Sequence, residues 1–116
     1  MFNTSTLRVE KISIRECRIL LDIQSRDTIN QYLKTLDLFG HDRISWQEFR
    51  RVLELQIFLG LKHGRNSKDD FLKLSQSQLT SMFSNFGIDI ESRLLSLRNQ
   101  KQNIHRVAVH LVLNKD

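Results

Sequence analysis

Arg26, Asn30 and Gln31 lie in one short polar-faced stretch, RDTINQYLKTL, together with Tyr32 and Lys34. Their side chains have the chemistry for reading a nucleic-acid duplex. A guanidinium makes a two-point pair with the major-groove edge of guanine, and a carboxamide does the same with adenine. A phenol and an ammonium suit phosphate oxygens, which fix position without carrying sequence. Any amphipathic helix has a solvated polar face, so these residue types gain meaning only from the elements that present them.

Those elements are well signalled. Ser13-Ile-Arg-Glu16 and Ser45-Trp-Gln-Glu48 have the form of capping boxes, in which serine and glutamate side chains each satisfy a free backbone N–H. Ser25 is placed to cap a helix with Asp27 in its first turn. Ile14, Cys17, Leu20 and Leu21 recur at helical spacing, as do Ile29, Leu33 and Leu36. A helix built on the second set turns Arg26, Asp27, Asn30, Gln31 and Lys34 outward. The pattern predicts helices over 14–22, 26–36, 46–63, 68–74, 78–86 and 90–103, with Gly64 closing the third and Gly87 separating the last two. Leu7 to Ile14 alternates weakly, and residues 105–113, HRVAVHLVL, read as a β-branched-rich strand. A lone strand does not survive unpaired. The terminal strand is therefore expected to pair with the N-terminal strand or with its copy in a homodimer.

The bulk composition excludes several classes. With 116 residues, 40% of them hydrophobic, the chain fits a small globular protein, and its 27% charged residues do not indicate disorder. No apolar run is long enough for a membrane span, and the polar start MFNTSTLRVEK is not a signal peptide. The single Cys17 excludes an internal disulfide and, among Ile19, Leu20 and Leu21, reads as a small core residue; a cytoplasmic location is expected. Net charge is +5, unevenly placed: residues 1–91 hold 13 Lys/Arg against 12 Asp/Glu, whereas residues 92–115 hold Arg93, Arg98, Lys101, Arg106 and Lys115 with no acid. Such a tail can hold phosphates or form a solvated helix face.

The pattern S-R-D-T-I-x-x-Y-L-x-x-L, followed by L-F-G-x-D-R-I-S-W-x-E-F, resembles the winged helix-turn-helix of MerR-type regulators over about residues 12–63. In that family a short helix precedes a recognition helix containing a tyrosine; a two-stranded wing follows, and then a helix opened by a Ser-x-x-Glu cap. The resemblance implies a recognition helix at Ser25, Thr28 and Tyr32, a wing at Gly40 to Ile44, and a following helix from Ser45 to Leu61. It further implies that Tyr32 and Arg43 grip phosphates, that Arg26 and Asn30 read bases, and that Arg50 and Arg51 lie near the DNA backbone. The chain departs from the family at Asn30 and Gln31, where an arginine usually accompanies the tyrosine, and at Asp37, near which a glycine is expected.

The third helix carries Trp46, Phe49, Val52, Leu53, Leu55, Ile57, Phe58, Leu59 and Leu61, a stripe wide enough to be covered on two sides. Phe71, Leu72, Leu79, Met82, Phe83 and Phe86 are candidates to cover the second side, as is a second subunit. Residues 37–48, DLFGHDRISWQE, have the outline of an EF-hand loop through Asp37, Ile44 and Glu48. Phe39 and His41 replace oxygen ligands there, and Asp42 stands where the sharp turn needs glycine, so calcium is not expected. His41, His63, His105 and His110 show no metal spacing, and no phosphate loop or nucleophile motif is present. Neither an enzyme nor a cofactor is expected.

The fold expected from the sequence is mainly α: a winged helix-turn-helix over 1–66, with a helical extension and terminal β-strand over 67–116. The expected function is a dimeric, sequence-specific regulator of transcription bound to double-stranded DNA through Arg26, Asn30, Gln31, Tyr32, Lys34, Arg43, Arg50 and Arg51. The alternative is a non-catalytic module on the same scaffold that docks a protein partner.

Overall fold

The computed structural model describes residues 11–61 and 67–113. Among these residues the chain is mainly helical, with six helices and one two-stranded sheet. Strand β1 (Lys11–Ser13) turns directly into α1 (Ile14–Leu20), and α2 (Arg26–Thr35) follows. Strand β2 (Arg43–Ser45) runs directly into α3 (Trp46–Leu61), and α4 (Ser67–Lys73), α5 (Gln76–Asn85) and α6 (Ile90–Leu113) complete the order.

The two strand-to-helix corners are built alike and pair with each other. β1 and β2 run antiparallel with Ile12 opposite Ile44, and neither isoleucine is exposed. Each strand ends on a serine that caps the next helix. Ser13 Oγ accepts from the Glu16 amide at 3.1 Å while Glu16 accepts from the Ser13 amide at 2.9 Å. Ser45 and Glu48 repeat the arrangement at 3.1 and 2.8 Å. Two three-residue strands are not stable alone; here α1 and α3 pack on the ribbon and bury its isoleucines.

Two apolar clusters lie on opposite sides of α3. Ile12, Cys17, Leu20, Ile29, Leu33, Ile44, Phe49 and Val52 belong to the first, formed by the ribbon with α1, α2 and α3. Leu55, Phe58, Phe71, Leu79, Phe83 and Ile90 form the second, under α4, α5 and the start of α6. The wide apolar stripe of α3 is thus covered on two sides within one chain. Phe71 and Phe83 supply the cover, whereas Leu72 and Phe86 remain exposed. Tyr32, Leu36 and Ile57 touch both clusters and join them. Cys17 has no exposed surface, and burial pushes its thiol up to about 12, which removes it as a nucleophile.

Several boundaries differ from expectation. Helix α1 stops at Leu20 because Asp22 takes a left-handed backbone, and α5 begins at Gln76 because Ser75 and Gln78 form a third capping box. Residues 105–113 are helical rather than a strand, since α6 continues unbroken from Ile90 to Leu113. Its apolar stripe Ile90, Leu94, Leu97 and Ile104 packs on the two clusters at helical spacing. A helix satisfies its own backbone, whereas a strand there would need a partner. Among the described residues no unpaired strand therefore remains to call for a second subunit. Gly40 to Ile44 do not form a wing of two strands: Arg43–Ser45 pair with β1, and residues 39–42 are a loop. Residues 7–10 of the expected first strand, and Gly64 with its neighbours 62–66, lie outside the described residues. Among the described residues no helix is long and apolar enough to cross a membrane, and no cluster of His, Cys, Asp or Glu could hold a metal ion.

Candidate nucleic-acid interface

The connection between α1 and α2 is short and fixed from several directions. Four residues, Leu21 to Gln24, separate the last residue of α1 from Ser25, the N-cap of α2. Asp22 turns the chain with φ 55°, and the Ile23 amide donates to the Arg18 carbonyl at 2.9 Å. Leu21 and Ile23 are buried, so the turn is anchored by its own side chains. From α3, Gln56 Nε2 donates to the Leu21 carbonyl at 2.8 Å. The Arg18 guanidinium donates to the carbonyls of Ile23 and Gln24 at 3.4 and 2.6 Å. Ser25 Oγ then accepts from the amides of Asp27 and Thr28 at 3.1 and 3.3 Å.

A left-handed φ costs an ordinary L-residue about 1–2 kcal/mol, and glycine escapes this penalty. Asp22→Gly is accordingly expected to raise stability by about 0.5–1 kcal/mol, after the greater freedom of glycine in the unfolded chain offsets part of the gain. Asp22→Val is expected to lower it by about 1–2 kcal/mol. Urea denaturation of both variants checks the pair, and a gain from valine would refute the account. Asp37 follows α2 in the same left-handed region, with φ 60°.

Helix α2 buries Ile29 and Leu33 and exposes Arg26, Asp27, Gln31 and Lys34, with Asn30 half-buried on the flank. Arg26 and Asn30 line an open groove of 660 Å³ together with Ser13, Arg15 and Arg18 from the first corner and Phe39 to Asp42 from the loop. Gln31 accepts from Lys68 Nζ at 3.0 Å, which ties it to α4. Lys34 Nζ lies 4.7 Å from the centre of the exposed Phe39 ring. Tyr32 is half-buried between the two clusters, and burial raises its phenol above the ordinary range. Arg43 is exposed on β2, opposite Ser13.

Arg50 and Arg51 have a different setting. Both converge on Glu54, which is only 1% exposed. Arg51 Nη1 lies 2.8 Å from Glu54 Oε1 and Arg50 Nε 3.3 Å from Oε2, while Gln76 of α5 donates to Oε2 at 2.7 Å. Arg50 also pairs with Glu91 at the start of α6. The Arg51 guanidinium lies 4.6 Å from the centre of the Phe71 ring. These contacts staple α3 to α4, α5 and α6.

The structure thus brings Arg26, Asn30, Lys34 and Arg43 to the region of α2 and its following loop, and sets Arg50 and Arg51 inside a charge cluster. It adds Arg15, Arg18 and Phe39, which sequence reasoning left out. Arg15 and Arg18 carried no signal beyond lying on the solvent side of the first helix. Glu54 did carry one, since it is an acid between Leu53 and Leu55 in an apolar stripe. Comparison with known proteins found no matching family model, no matching curated protein and no matching solved structure.

Proposed function

We propose that the chain is a sequence-specific DNA-binding regulator of transcription in which α2 enters the major groove. The observation that carries this is the turn into α2. Two short helices joined by a four-residue turn with a left-handed residue, the second helix serine-capped and polar on its outer face, form the arrangement that DNA-binding helix-turn-helix units use. The unit would be of MerR-like winged type, with the loop at residues 39–42 in place of a hairpin wing. Arg26 and Asn30 are the base readers, at the N-terminal end and flank of α2; Gln31 neighbours them, and Lys34 and Arg43 supply phosphate contacts. The net charge of +5 favours a polyanionic partner.

Selection from a random duplex pool tests this. Wild type should enrich one motif, and Arg26→Ala with Asn30→Ala should erase it, each lost bidentate pair removing about 1–3 kcal/mol of discrimination. Lys34→Ala should weaken all sequences alike. A symmetric motif would show two copies bound side by side.

A second function, docking of a protein partner, is favoured by a separate observation. Leu72, Phe86 and Leu95 on the helical extension are 51%, 60% and 63% exposed. Binding that survives high salt would point to these exposed apolar side chains, because phosphate contacts are lost as counterions compete.

A further inference from the structure

We propose that a DNA backbone strand follows α1 and lies in the groove between α1, α2 and the loop at residues 39–42, held by Arg15 rather than by the arginines of α3. This rests on the DNA-binding function above and assigns its phosphate path. Three observations support it. First, Arg15 is exposed in this groove, beside the base reader Arg26, and among the described residues no carboxylate lies within ion-pair distance of it. An unneutralised guanidinium on the rim suits a phosphate, even with Asp42 lining the same groove. Second, Arg50 and Arg51 already neutralise the buried Glu54, so moving them to a phosphate would strand that carboxylate. Third, Phe39 is 54% exposed on the far wall, steadied by the Lys34 ammonium, and offers an apolar face to a deoxyribose.

Arg18 has a different task. Its hydrogen bonds to the Ile23 and Gln24 carbonyls make it a positioning residue, which holds the turn so that Arg15 and α2 address the same duplex.

The experiment is the salt dependence of binding to the selected duplex, read as the slope of log K against log salt, for wild type, Arg15→Ala, Phe39→Ala and Lys73→Ala. Each phosphate contact contributes about 0.9 to that slope. Arg15→Ala should make it shallower by about that amount with the motif unchanged. Phe39→Ala should lower affinity by the same factor at every salt concentration. Lys73→Ala removes an equal charge from α4 and should leave the slope as in wild type. A wild-type slope for Arg15→Ala, or an equal loss for Lys73→Ala, overturns the phosphate path while leaving DNA binding intact. Failure of wild type to retain any duplex overturns both together.

Discussion

The Arg50→Ala/Arg51→Ala double variant should lose about 3–5 kcal/mol of stability, the cost of leaving a buried charge without its partners. Glu54 is 1% exposed, while its two arginines remain 31% and 34% exposed. The asymmetry decides which change hurts most. Arginines deprived of the glutamate can turn to water, but the glutamate deprived of the arginines keeps only the Gln76 amide. Adding Glu54→Leu to the double variant should recover most of the loss, because an apolar group of similar size needs no counter-charge. Urea denaturation of the double and triple variants gives the comparison. A loss under about 1 kcal/mol in the double variant, the range of an exposed ion pair, would show that the cluster contributes no more than a surface contact. The result also bears on DNA binding, since arginines that stabilise the fold cannot be removed to test phosphate contact without a stability control.

Phe58→Ala is the second large effect. Phe58 is 1% exposed in the second cluster and meets Phe71 of α4 with ring centres 5.5 Å apart. Deleting a buried phenylalanine removes its transfer free energy and leaves a cavity, together about 3–5 kcal/mol. Because Tyr32, Leu36 and Ile57 join the two clusters, the loss should appear as one earlier transition, followed alike by Trp46 fluorescence and by helical circular dichroism. Trp46 packs on the first cluster and Phe58 lies in the second, so the two probes report on different sides of α3. Two separated transitions would show that the helical extension unfolds on its own.

Local chemistry was the legible part of the chain. The boxes at Ser13/Glu16 and Ser45/Glu48 and the cap at Ser25 involve groups within three residues of each other, so the sequence contains all that is needed to place them. Ser75/Gln78 is just as local, with glutamine in the place of glutamate at the third helical position, and it sets the start of α5. The left-handed backbone of Asp37, with φ 60°, had no such local signal.

The terminal segment shows where local pattern fails. HRVAVHLVL is rich in β-branched residues, but strand preference expresses itself only when a partner strand is available. Among the described residues none is offered at that position, and α6 instead carries its helical hydrogen bonding on to Leu113. β1 finds its partner in β2, 32 residues further along, with Ile12 opposite Ile44.

What the sequence by itself determined, then, are the starts and apolar faces of α1, α2 and α3 and the polar face of α2, all set by groups a few residues apart. The tertiary structure alone decided which charges face outward. Arg26 and Arg50 are the same residue type on solvent-accessible helix faces. Arg50 and Glu54 are neighbours one turn apart on α3. But only the folding of α3 against α5 and α6 buries Glu54 and brings Glu91 to Arg50, and only the packing of α1, α2 and the loop leaves Arg15 and Arg26 together at an open groove. The spacing of Arg50, Arg51 and Glu54 is local to one helix, but the burial of Glu54 and the approach of Glu91 depend on groups far apart in the chain, and no local pattern encodes those distances.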